Sequence, residues 1–585
     1  MFSSFRLSMT WLHTWFGLVL GFVLMVCFFF GSLSVFDREI DRWAIPETRF
    51  EPQPMPSYDK LLAPIFATLK PEEDELAAAR QRVGGPLPAS MPVMNWGAYT
   101  THRDPVLSMF AEFAVTNNPK DPDDHVHGHV TIDPRSGKVL PHDQLKIGSE
   151  FFYPMHFSLH LTWKDLGYWI VGTAALVMLA ALVSGVVMHR KIFRELFTFR
   201  PGKHIKRSTL DLHNLTGVVA LPFHFIFALS GLTIFASIYL PVSETMLKPL
   251  AQQHAMAEAK AKGLAFKPAG VAAPLASVDA MVLEAKRRWA ARGMAGEVGF
   301  LTVNHVGDAN SHVSIFRAGS DRVTLVGQAV HFAGPTGRVI LEEPAPKPAS
   351  AVNDFLTGLH LQHFEHWLLR WMYVLGGLSG CVCIATGFIF FVEKRKRQHA
   401  KVGSAGSRTV DALAVTACTG MVIAAVGMLV ANRLLPADLA HRGDWEKGIF
   451  WAVWLLAFLH AWWRTAAVLE ARIAPAWREQ CWAIAALAVA AALLNWATTG
   501  DHLLKTVGSG YWPVAGLDLA LLASAAVAVV AARRLRIREQ SPESSAEPSE
   551  EPSGGSVRSA PTDGLPAGNG ADPATAQHTP ETARA

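Results

Sequence analysis

The chain has 585 residues, half of them apolar and 17% charged, and its mean hydropathy is +0.21, a profile that fits a membrane protein carrying hydrophilic parts better than a globular enzyme. A formal net charge of only +4 gives no basis for a nucleic-acid partner or an acidic substrate. The five cysteines (Cys27, Cys381, Cys383, Cys418 and Cys481) all lie in or beside apolar runs, which excludes an extracytoplasmic disulfide framework.

A bilayer core of about 30 Å requires about 20 mostly apolar residues in helix. Eight segments qualify: Trp11–Phe36, Leu166–Met188, Leu212–Leu240, Trp367–Val392, Ala412–Val430, Gly448–Val468, Cys481–Ala497 and Val514–Ala532. The first is too long for a signal-peptide core and lacks a following A-x-A site, so it reads as an uncleaved anchor. Basic connections at His189–Arg207, Lys394–Lys401 and Arg533–Arg538 fall on one side of an eight-span path, the cytoplasmic side by the positive-inside rule. Both termini are then cytoplasmic in a bacterial inner membrane. Two hydrophilic insertions, 37–158 and 241–364, face outward, and from Gln540 onward a Pro, Ser, Ala and Glu composition predicts a disordered tail.

The insertions read as small α+β units. In the second, Val278–Arg288 has helical periodicity, and Val298–Val303, His312–Phe316 and Leu325–Phe332 alternate as strands before a Gly-Pro-Thr-Gly turn and Val339. In the first, His125, His127 and His129 form an H-x-H-x-H run whose strand reading puts three imidazoles on one face. That run is open to two readings, a metal or iron-complex site and a solvated edge.

At an offset of 200 the sequence matches itself. Leu12-His13 with Gly17 and Gly31 matches Leu212-His213 with Gly217 and Gly231, and Leu159-His160-Leu161 matches Leu359-His360-Leu361. At 202, Trp169 and Gly185 match Trp371 and Gly387. This divides the chain into repeats at 1–200 and 201–401, each a span, an outer insertion and a returning span, followed by a four-span module at 409–535 and the tail at 540–585. Halves of equal orientation are related by an axis along the membrane normal, which brings equivalent histidines to the same depth.

The L-H-x-x-x-G span openings, the L-H before each returning span, and the strand-turn-strand endings Ser-Gly-Lys-Val-Leu and Thr-Gly-Arg-Val-Ile resemble the PepSY-associated transmembrane family over Met1–Lys401. That family includes iron-regulated inner-membrane proteins and ferric-siderophore reductases. The resemblance implies two PepSY-like periplasmic insertions, haem in the four-helix core, and electrons passed outward to a periplasmic iron complex.

Paired neutral imidazoles make a six-coordinate haem iron suited to electron transfer, and an ionisable residue within a span is a functional candidate by default. No C-x-x-C-H motif exists, so haem b, two per chain, would be held by ligation and packing alone. His13 with His213 forms the first expected pair. His160 with His360 forms the second, with His363 and His366 as rivals. His224, 11 residues beyond His213, His189 at a span end and His460 in the sixth span are further candidates. Gly17, Gly31, Gly185, Gly217, Gly231 and Gly387 permit close approach, whether of a macrocycle or of another helix.

Without a G-x-G-x-x-G fingerprint or a long cytoplasmic segment, electrons must come from quinol or a separate cytoplasmic reductase. The expected activity is that of a transmembrane oxidoreductase acting on periplasmic ferric siderophore. Two alternatives stay open: a siderophore or iron transporter, and a membrane-anchored periplasmic binding or peptidase-inhibitory module. Transport calls for paired acids or broken helices at mid-membrane, and the spans carry almost no carboxylate.

Overall fold

The computed structural model describes residues 4–540 except 101–102, 117–123, 141–144, 190–199, 201–204, 240–245, 247, 266, 325–327, 403–404 and 467–473. Most of the basic connection at 189–207 and the tail expected from Gln540 lie outside the described residues. The architecture is mostly helical with one antiparallel sheet.

The first expected span is two helices, α1 (Phe5–Val19) and α2 (Gly21–Ser34), bent by 60°. The third is likewise two, α7 (Ile205–Val219) and α8 (Leu221–Ile234), bent by 62°. Both breaks have a local cause. Gly21 packs so closely that a Cβ there would lie 3.1 Å from the Phe388 ring, and Pro222 stands in the first turn of α8, where its missing N–H ends the previous helix. Between these pairs come α3 (Asp37–Ala44), α4 (Glu73–Val83), the five-residue α5 (Tyr153–Phe157) and α6 (Leu166–Met188).

After α8 follow α9 (Lys248–Ala261), α10 (Val278–Ala291), α11 (Pro348–Leu361) and the 35-residue α12 (Trp367–Lys401). The C-terminal module comprises α13 (Gly406–Val415), α14 (Met421–Leu434), α15 (Arg442–Ala466), α16 (Pro475–Thr499) and α17 (Trp512–Gln540). Among the described residues, five helical stretches are long and apolar enough to cross a membrane, and counting each bent pair as one span gives seven. The sixth expected span, Gly448–Val468, corresponds to α15, which is not among those seven. It carries five tryptophans with His460 and Arg464.

Among the described residues seven strands form a single sheet in the order β3-β2-β1-β4-β5-β6-β7. The first insertion supplies β1 (Val93–Tyr99), β2 (Leu107–Ala114) and β3 (His125–Ile132). The second supplies β4 (Val298–Asn304), β5 (His312–Arg317), β6 (Ala329–Ala333) and β7 (Val339–Glu342). The two expected insertions are therefore joined: β1 pairs antiparallel with β4, with Trp96 opposite Val303 and Ala98 opposite Leu301. Alternation puts Trp96, Met109, Val303, Ile315 and Val330 on one face, where they pack on Met281, Ala285 and Trp289 of α10. The other face carries Phe110, Phe300 and Phe316, whose rings are in contact from strand to strand.

The C-terminal module packs on the first half of the molecule. Met421, Ala424, Phe450 and Leu521 share a core with Phe30, Trp43, Phe151, Phe152 and Met155. Polar contacts fix the junction: Trp43 Nε1 donates to Asp518 at 2.8 Å, Arg49 reaches Asn495 at 2.8 Å and Asp501 at 2.7 Å, and Arg433 donates to the Ala44 carbonyl.

Candidate functional site: two histidine pairs

His13 on α1 donates from Nδ1 to the Ala181 carbonyl of α6 at 2.9 Å, and His213 on α7 donates to the Cys383 carbonyl of α12 at 2.7 Å. A carbonyl only accepts, so both rings carry their proton on Nδ1 and keep the Nε2 lone pair that a metal takes. The same carbonyls accept the hydroxyls of Ser184 and Thr386, at 3.1 and 2.9 Å. One turn beyond them stand Gly185 and Gly387, where a Cβ would lie 3.3 and 3.4 Å from Cε1 of His13 and His213. The two rings have centroids 6.1 Å apart and planes at 87°.

A second pair is built the same way from other elements. His156 on α5 donates from Nδ1 to the Cys27 carbonyl of α2 at 2.7 Å. His360, in the last turn of α11, has Nδ1 2.9 Å from Ser230 Oγ of α8. The Ser230 hydroxyl hydrogen goes to the Ile226 carbonyl at 2.7 Å, so toward His360 the oxygen accepts. Gly31 and Gly231 again make room: a Cβ would lie 2.7 Å from His156 Nδ1 at one and 3.1 Å from His360 Cε1 at the other. These ring centroids are also 6.1 Å apart, with planes at 35°.

The spacing tests whether a metal fits. With a metal–imidazole bond of about 2 Å on each side, plus about 1.1 Å from nitrogen to ring centre, two axial rings stand about 6 Å apart. Both pairs meet that requirement, and all four rings have the Nδ1 partner that orients a ligating imidazole. The residues therefore fit two bis-imidazole centres.

Beside His156 and His360 lies a cavity of about 500 Å³. It is lined by Phe28, Met178, Phe223 and Phe227 of the helical body and by Phe300 and Phe316 of the sheet. Arg38, Arg103 and His363 also line it.

The family model described as the PepSY-associated TM region matches residues 10–394, two thirds of the chain. The chain belongs to that family. The uncharacterized protein PA4219 of Pseudomonas aeruginosa strain PAO1 is similar: it is 26% identical over 379 residues, which cover 62% of this chain and 88% of that protein. All four paired histidines of this PepSY-associated protein lie within the matched stretch, and α13–α17 lie beyond it.

Of the nine histidines named as candidate ligands from sequence, the structure brings His13, His213 and His360 into pairs. His160 is elsewhere. It sits in a left-handed bend with Leu159, stacks on Phe151 at 4.5 Å and gives its Nε2 to the Phe151 carbonyl at 2.8 Å. The partner of His360 is His156, four residues earlier, because α5 ends at Phe157 and only His156 remains on the helix. The L-H-L match hides this, since Leu359-His360-Leu361 is helical and Leu159-His160-Leu161 is not. The H-x-x-x-H spacing of 156 and 160 was the available signal, and where the helix stops decided between them.

His224 is buried between Phe28 and Phe223, with Nε2 3.2 Å from the Gly376 carbonyl, and among the described residues no histidine faces it. His189 Nε2 accepts from Asn214 at 2.9 Å. His366 is exposed, and its Nδ1 accepts the Leu369 N–H at 3.3 Å. His460 pairs with Glu479 at 3.1 Å, and Arg464 binds the same carboxylate. That makes Glu479 a carboxylate of the helical body.

Proposed function

We propose that this protein is an inner-membrane electron-transfer protein that holds two b-type haems, one between His13 and His213 and one between His156 and His360. The observation that carries the reading is the shared construction of the two pairs: a 6.1 Å ring separation, an Nδ1–H tied to a backbone or hydroxyl oxygen, and a glycine against each ring. In this reading the first four spans are a tandem repeat about an axis along the membrane normal, the molecule has eight spans, and both termini are cytoplasmic.

When bound, a bis-imidazole haem supplies one-electron ferric/ferrous exchange without an open coordination position. The chain's residues do the rest. Ala181, Cys383, Cys27 and Ser230 lock the imidazole tautomers. Cys27 follows His13 by 14 residues on the same broken span, which at about 1.5 Å per residue separates the two layers by about 20 Å or less along the membrane normal. With haem bound, the His13 layer would be the entry for electrons from quinol or a separate cytoplasmic reductase and the His156 layer the exit. The cavity between the His156 layer and the sheet gives a periplasmic ferric siderophore access to the outer centre, and reduction loosens the iron because hard oxygen ligands hold ferrous iron less well.

The two bends of 60° and 62°, at matching places in the halves, favour a second reading, transport of a siderophore or iron, since broken spans at corresponding positions mark transporter sites. Optical spectra of protein purified from haem-replete cells separate the two. The electron-transfer reading expects two b-type haems by pyridine haemochrome, one lost in His13→Ala, one lost in His156→Ala, and both kept in His160→Ala. Folded but colourless protein rejects it in favour of transport.

A further inference from the structure

The H-x-H-x-H run forms β3, the edge strand of the sheet, and its three imidazoles share the face opposite the α10 core. His125 and His127 have ring centroids 4.9 Å apart, and His127 and His129 6.3 Å apart. The side chains of His127 and His129 are 34% and 50% exposed, so neither is a core histidine satisfied by burial.

Two of the rings are oriented from behind by carboxylates of another element. His127 Nδ1 lies 3.1 Å from Glu75 in the first turn of α4, and Glu75 also accepts the His127 backbone N–H at 3.0 Å. His129 Nδ1 lies 2.7 Å from Glu72, the N-cap residue of the same helix. An ionised carboxylate only accepts, so Nδ1 is the protonated nitrogen and Nε2 is left as the donor to a metal. A carboxylate on the far ring nitrogen is the arrangement found behind metal-ligating histidines, where it fixes the tautomer and raises basicity. Successive same-face residues on a strand are about 6.8 Å apart, a span that two imidazoles bridge to one ion.

We propose that His127 and His129 form a site for one divalent first-row transition-metal ion, bound through Nε2 and supported by Glu75 and Glu72. Imidazole nitrogen suits zinc, copper, nickel, cobalt and iron alike. Among the described residues no group of three or more His, Cys, Asp or Glu is placed to hold a metal ion, so the protein supplies these two imidazoles and water completes the coordination. The site shares its sheet face with the cavity lining: His129 contacts Phe110, Phe110 stacks on Phe300, and Phe300 lines the cavity. This inference stands apart from the haem reading, because none of its residues belongs to either histidine pair.

The test is titration of the full chain, without a polyhistidine tag and stripped of metal, with Co²⁺ in detergent, followed by calorimetry and by the cobalt d–d absorption. One saturable ion per chain with imidazole-type bands is expected at neutral pH. His127→Ala with His129→Ala should abolish that ion, while Glu72→Gln with Glu75→Gln should keep the stoichiometry and weaken binding about 10- to 100-fold. Size-exclusion profile and circular dichroism show that the variants are folded. Equal Co²⁺ uptake by folded wild type and the double histidine variant overturns the proposal, as does wild type without saturable uptake.

Discussion

His13 and His213 show how little of a ligand's behaviour lies in the ligand itself. Each ring is oriented by a carbonyl three and four residues before a hydroxyl and a glycine on a facing helix, Ala181-Ser184-Gly185 for one and Cys383-Thr386-Gly387 for the other. The glycines yield a graded prediction. At Gly31 an added Cβ would lie 2.7 Å from His156 Nδ1, whereas at Gly185 it would lie 3.3 Å from His13. In an isolated helix Gly→Ala stabilises by about 0.5–1 kcal/mol, so a loss at these positions reports the ring contact alone. Gly31→Ala should cost one haem equivalent and Gly185→Ala should keep both, as read by pyridine haemochrome.

At the scale of elements, the weak point is the short helix that carries His156. α5 continues a wider π-helical stretch at Ile147–Phe152, and the two together are still too short to stay helical alone in water, so the segment is held from its N-terminal side by Asp41 of α3. The Asp41 carboxylate accepts the Gly148 N–H at 2.7 Å and the Ser149 hydroxyl at 2.5 Å, and a side chain at Gly148 would overlap the Asp37 carbonyl. Burial pushes the Asp41 carboxyl up to about 7, against the opposing pull of Arg38 and Ser149. A carboxyl raised in the folded state holds its proton more tightly there than in the unfolded chain. Its contribution is therefore full below about pH 4 and lost as pH rises through 7. The thermal midpoint for release of the His156-layer haem should fall between pH 5 and 8 in wild type, and Asp41→Asn should flatten that slope.

Across the whole molecule, α13–α17 act as a buttress for the first half. Their core is continuous with Phe151, Phe152 and Met155, the residues just ahead of His156, and Asp518 holds the buried Trp43 indole. Asp518→Leu leaves that indole N–H without its acceptor, at a cost of about 1–3 kcal/mol. The His156 layer should then release haem at lower temperature while the His13 layer is unchanged, a difference that thermal melts followed at the haem absorption resolve. The sheet is the second whole-molecule feature. By pairing β1 with β4 it ties the two halves together outside the helical body and lines the cavity beside His156 and His360.

The sequence by itself determined the periodic features: the apolar runs, the strands at β4 and β5, the family resemblance, and the His13 and His213 candidates inside L-H-x-x-x-G. These are local signals, written in the spacing of residues along one element. Only the tertiary structure decided that His156 rather than His160 faces His360 and that the two insertions make one sheet. A helix end and an edge-to-edge strand pairing are each settled by what packs on the segment from far away in the chain. The 200-residue offset shows that two stretches are alike, and it carries no information on which neighbour lets one of them stay helical.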